Sequence, residues 1–72
     1  MSTQTSERTI AAVERAAEVL GLFAEGNHAS LGVTEIAKEL DLSKAVVHRI
    51  LTSFRSKGFI ELDQATRRYS LG

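Results

Sequence analysis

The sequence predicts a mainly α-helical domain closed by a small β-hairpin: three helices followed by two or three short strands. Three observations predict it. Apolar residues recur at helical spacing through the first three quarters of the chain, up to Phe54. After Gly58 the period changes from helical to alternating. Residues that stop a helix stand between the periodic segments: Gly26-Asn27, Asp41 and Gly58.

Residues 1–5 are polar and aperiodic and read as a flexible arm, so the domain is expected over residues 6–72. The first helix is expected from Ser6, with Ser6 as N-cap and Glu7 in the first turn. Ile10, Val13, Ala17, Leu20 and Ala24 form its inward stripe. Ala12, Val19 and Leu22 lie outside that stripe, which widens the apolar surface and makes these three residues a candidate dimer surface. Gly26 and Asn27 supply a left-handed stop.

An extended piece, Ala29-Ser30-Leu31, leads to a second helix over Val33–Leu40, with Val33, Ile36, Ala37 and Leu40 inward. Gly32 is its N-cap and Glu35 stands three residues on, a capping box lacking the cap side chain. Asp41 tolerates a left-handed backbone, and Leu42 plugs the corner that follows. Ser43 caps a third helix over residues 44–57, closed by Gly58. Its inward face is Val47, Ile50, Leu51 and Phe54; Ala45, Arg49, Thr52 and Ser56 face away, with His48 at the edge. Phe59-Ile60-Glu61-Leu62 and Arg67 to Leu71 then read as two strands around a polar turn.

Seventy-two residues suffice for one domain and leave no room for a deep substrate pocket. The absence of cysteine excludes disulfides and thiolate metal sites, and His28 and His48 lack ligand spacing, so neither metal nor cofactor is expected. MSTQTSERTI has no secretory pattern, and no apolar run approaches the roughly 20 residues that span a bilayer. A soluble cytoplasmic protein is expected. Net charge is zero but polarised: residues 1–42 carry seven acids and three bases, a net of −4, whereas residues 43–72 carry six bases and two acids, a net of +4. One basic end is enough to track phosphates.

Two short helices joined by a tight turn, the second exposing a polar face, match the helix-turn-helix pattern. The major groove, about 12 Å wide, admits one such helix, and the hairpin after it is the wing. The segments VERAAEVLGLFAEG, VTEIAKELDLSKAVVHRILTSFRSKGFIELD and TRRYSLG together resemble the N-terminal DNA-binding domain of IclR-type transcriptional regulators. The resemblance runs from about Glu7 to Gly72. It rests most on Glu35-Ile36-Ala37, Val47-His48-Arg49, Gly58-Phe59 and Arg68-Tyr69-Ser70-Leu71-Gly72.

That resemblance implies a winged helix on a regulator whose larger C-terminal domain binds a small effector. It also implies a homodimer or dimer of dimers on an inverted-repeat operator in double-stranded DNA. This chain departs from the family at Asp41, often glycine there, at Ser43, often proline, and at Ala45-Val46, often Ser-Thr. The hydrogen bonds of those two hydroxyls are therefore not carried over, and Ala45 and Val46 are read as contacts to thymine methyls.

Arg49 is the residue expected to read a base, bidentate to guanine. Ser43 and Lys44 are assigned to phosphates at the groove edge, although Ser43 is at least a helix cap. His48 either hydrogen-bonds a base or phosphate or is a half-exposed structural histidine. Thr52 lies farther along the helix as it leaves the groove, and Thr34 is a phosphate candidate at the start of the second helix. In the wing, 59–71, Arg67 and Arg68 are expected to alternate in direction along a strand and to contribute salt-dependent affinity for the backbone or minor groove.

The rival reading is a winged helix serving protein–protein interaction without DNA, which would expose an apolar patch in place of Arg49 and the paired arginines. Catalysis is not expected. Ser43 and His48 sit five residues apart on different sides of one helix, and no glycine-rich phosphate loop exists.

Overall fold

The computed structural model describes residues 9–26 and 30–72. Its elements are α1 (Ala11–Glu25), α2 (Val33–Leu40), α3 (Lys44–Ser56), β1 (Ile60–Asp63) and β2 (Arg68–Leu71). The predicted architecture of three helices and a hairpin is the one observed. The proposed arm, the Ser6 cap, Asn27, His28 and Ala29 lie outside the described residues.

α1 differs from expectation at both ends and in its rotation. It begins at Ala11, because Thr9 and Ile10 are not helical and Ile10 is extended at φ −100°, ψ 117°. Two adjacent β-branched residues favour that conformation. Ile10 is also 65% exposed, so no packing repays a longer helix. At the other end Gly26 is extended at φ −84°, ψ 168°, not left-handed, while its N–H still donates to the Leu22 carbonyl.

The inward stripe is Val19 and Phe23, with Ala16, Leu20 and Leu22 half-buried. Ile10, Val13, Ala17 and Ala24 are exposed. At about 100° per residue the true face is about a third of a turn from the expected one. Phe23 and Val19 set the rotation because the rest of the domain packs against the second half of α1, and residues 11–18 include none that is fully buried. Val19, expected on a dimer surface, has 0% exposure and belongs to the core. Leu22 packs against that core, and Ala12 is exposed.

α2 forms as read. Ile36 and Ala37 are buried, Val33 and Leu40 half-buried, and the Gly32 N–H donates to Glu35 Oε1 at 2.8 Å. Asp41 is left-handed at φ 57°, ψ 47°, which lets the Leu42 N–H turn back to the Ala37 carbonyl at 2.9 Å. Ser43 Oγ accepts the Val46 N–H at 3.1 Å and starts α3. Val47 and Leu51 are fully buried; Ile50 and Phe54 cover the edge of the core. Gly58 ends the segment at φ +81°, where a Cβ would meet nothing within 4 Å, so conformation and not space demands glycine.

β1 and β2 pair antiparallel, with Ile60 opposite Leu71 and Asp63 opposite Arg68. The strands are shorter than expected. Phe59 precedes β1 and sets its ring edge-on to Phe54, centroids 6.1 Å apart. Arg67 lies in the turn, not in a strand, at φ 60°. The cause is Asp63: its carboxylate accepts the Ala65 and Thr66 N–H groups, and its carbonyl accepts the Arg67 N–H at 2.7 Å. This local network closes the turn one residue later than alternation implies. Leu31 bridges Tyr69, adding a minimal third strand, and Ile60 and Tyr69 send their side chains into the core. Each such apolar burial contributes about 1.5–3 kcal/mol before entropy is counted.

Candidate nucleic-acid interface

The site is set by how α3 is held. Its inward face is fixed by Val47 and Leu51, at 0% exposure, so the residues half a turn away must face outward. Ala45, Arg49 and Thr52 are exposed on that side, with His48 exposed at its edge and Lys44 exposed at the N-terminal end of the helix. The large exposed apolar residues Ile10, Val13, Phe59 and Leu71 all lie outside α3. Among the described residues no carboxylate pairs with Lys44, Arg49 or Arg67; the ion pair formed among them is Arg68 with Glu35.

Two open clefts flank the exposed face. One, of about 380 Å³, separates α1 from α3 and is lined on the α1 side by Ala12, Arg15 and Ala16 and on the α3 side by Val46, Arg49 and Phe54 among others. Val46 is half-buried there, so Ala45 is the open apolar residue of the first turn. The other, of about 370 Å³, lies between the start of α2 and the wing and brings together Thr34, His48, Arg67 and Arg68. The first turn of α2, through Val33, Thr34 and Glu35, lines this cleft; a helix start is the usual provision for an anion, although Glu35 in that turn offsets part of the dipole.

Two candidates have local duties. Ser43 is engaged as the α3 cap through Val46. Arg68 is not free at the wing: Nε donates to Ser30 Oγ at 2.8 Å, one terminal nitrogen donates to the Ser30 carbonyl at 3.0 Å, and the same nitrogen pairs with Glu35 Oε1 at 2.9 Å. Arg67, by contrast, is exposed at the turn. The sequence reading gave Glu35 only its capping role and left Ser30 without one. Nothing local could reveal that pairing, because Arg68 lies 38 residues from Ser30. Arg15 was missed as well, its place beside Arg49 depending on the rotation of α1.

Comparison with known proteins agrees with this geometry. Residues 12–64 match the IclR helix-turn-helix domain. The chain is 45% identical over 65 residues to the glycerol operon regulatory protein of Streptomyces coelicolor, covering 90% of this chain and 25% of that one. It is 36% identical to the HTH-type transcriptional regulator BhcR of Paracoccus denitrificans, covering 88% of this chain and 22% of that one. The crystal structure of an IclR transcriptional regulator from Alicyclobacillus acidocaldarius superposes with a TM-score of 0.84 at 34% identity, over 90% of this chain and 26% of that one. The chain thus spans about a quarter of the length of the relatives it matches. It belongs to the IclR helix-turn-helix family and is a DNA-binding domain of the kind that transcriptional regulators carry.

Proposed function

We propose that α3 enters the major groove of an inverted-repeat operator, that the wing follows the neighbouring backbone, and that two copies of the chain act together within a longer regulator. The observation that carries this reading is the exposed polar face of α3, with Arg49 and Thr52 opposite the buried Val47 and Leu51, His48 at its edge and Lys44 at its N-terminal end. Among the described residues no carboxylate pairs with Lys44 or Arg49. Arg49 reads a guanine edge, Ala45 touches a thymine methyl, and Lys44 meets phosphate. Thr34, His48 and Arg67 line the cleft through which the flanking strand passes. Ser43 orders the first turn from which these side chains project, and Val46 makes at most an edge contact.

Pairing of two copies uses the N-terminal end of α1 and the residue before it, where Ala12, Val13 and Ile10 are exposed. Dimeric readers gain affinity from two half-sites about one helical turn apart. Regulation of a target operon, the role that the name of the Streptomyces relative gives it, and response to an effector are assigned to a longer regulator of which this domain is a part. The experiment is a comparison of operator variants selected from a random duplex pool, using the chain alone and fused to a dimerising coiled coil. Preferred half-sites one turn apart, with Ala45→Ser reordering preference among variants at one base pair, support the reading. An unchanged ranking removes the Ala45 contact, and insensitivity to half-site spacing removes the dimer.

A further inference from the structure

The guanidinium of Arg68 is spent inside the protein, yet it sits on the wing one residue from Arg67. It reaches from β2 to Ser30, which precedes α2, and to Glu35, in the first turn of α2. Glu35 Oε1 also accepts the Gly32 N–H, so one carboxylate oxygen joins the start of α2 to the wing. Beside this network Leu31 and Tyr69 exchange backbone hydrogen bonds. The result is a strut across one end of the cleft that Thr34, His48 and Arg67 line.

The strut adds little to stability. The side chains of Arg68 and Glu35 are 40% and 52% exposed, and ion pairs so open to solvent contribute little. Its geometry is nevertheless specific. A planar guanidinium can satisfy Ser30 Oγ, the Ser30 carbonyl and Glu35 together, which a single ammonium cannot match. An acid also stands at the margin of a phosphate-binding face, where a carboxylate ordinarily weakens affinity.

We propose that Arg68 and Glu35 are positioning residues for DNA binding: the Arg68–Ser30–Glu35 network fixes the wing against the start of α2 and thereby aims Arg67 at the backbone. This rests on the DNA-binding reading above. It assigns Glu35 a supporting role in spite of its charge, and it removes Arg68 from the direct phosphate contacts.

The test uses a duplex selected from a random pool by the wild-type chain, with Arg68→Lys and Glu35→Ala compared at several salt concentrations. Thermal melting confirms that each variant is folded. Arg68→Lys keeps the charge yet is expected to bind about tenfold more weakly, with the slope of log affinity against log salt smaller by about one as the Arg67 contact is lost. Mere loss of folded protein would lower the active fraction and leave that slope unchanged. Glu35→Ala is expected to bind more weakly although it removes a negative charge. Wild-type affinity in Arg68→Lys, or tighter binding by Glu35→Ala, overturns the proposal while leaving the DNA-binding reading intact. Failure of the wild-type chain, fused to the dimerising coiled coil, to select any duplex overturns both.

Discussion

Leu31 and Tyr69 exchange both backbone hydrogen bonds at 2.8 Å, joining the segment that leads into α2 to the second strand of the wing. Both side chains are buried, at 5% and 4% exposure, so the link is at once a backbone pairing and part of the core. The wing is therefore built into the domain and not appended to it. Tyr69→Ala is expected to cost about 3–5 kcal/mol, the range for removing a buried aromatic side chain. That is comparable to the whole stability of a domain of this size. Urea unfolding measures it; a loss below about 1 kcal/mol would mean that the wing is independent of the core.

The left-handed backbone at Asp41 gives a second prediction. A β-branched residue at φ 57° is strained, whereas glycine is not. Asp41→Val is expected to destabilise the domain by about 1–2 kcal/mol, while Asp41→Gly stays within about 1 kcal/mol of the parent. Equal melting temperatures for the two variants would contradict the assigned turn.

Ser43 allows cap and interface to be separated. Ser43→Ala removes the acceptor of the Val46 N–H and is expected to cost about 1 kcal/mol. Ser43→Asp keeps a cap acceptor and places a negative charge at the N-terminus of α3, so stability is retained while DNA affinity falls by repulsion. Calorimetry paired with binding titration distinguishes the two effects. A Ser43→Asp variant that binds DNA like the parent would place the start of α3 away from phosphate.

Much of this was legible in the sequence because it is local. Helix α2, the Asp41 turn, the Ser43 cap and the Gly58 stop each rest on hydrogen bonds between residues no more than five positions apart. The α3 face was legible too, because Val47, Leu51 and Phe54 leave one consistent phase. The rotation of α1 was not. Its apolar residues cover more than half the circumference, so periodicity alone admitted two faces, and contact with α2 and α3 through Val19 and Phe23 chose between them. Alternation placed Arg67 in a strand, whereas the Asp63 carboxylate closes a turn there. The engagement of Arg68 depended on a partner far away in sequence, beyond any local pattern.

The central claim is that Arg49 on the open face of α3 reads base sequence. The most direct measurement is selection from a random duplex pool by the wild-type chain and by Arg49→Ala, each in dimerised form and at two salt concentrations. The wild type is expected to enrich an inverted repeat. Arg49→Ala should lose preference at one guanine per half-site, by about 1–3 kcal/mol, while retaining salt-sensitive nonspecific binding. An Arg49→Ala variant that enriches the same sequence with the same preference at every position would contradict the account.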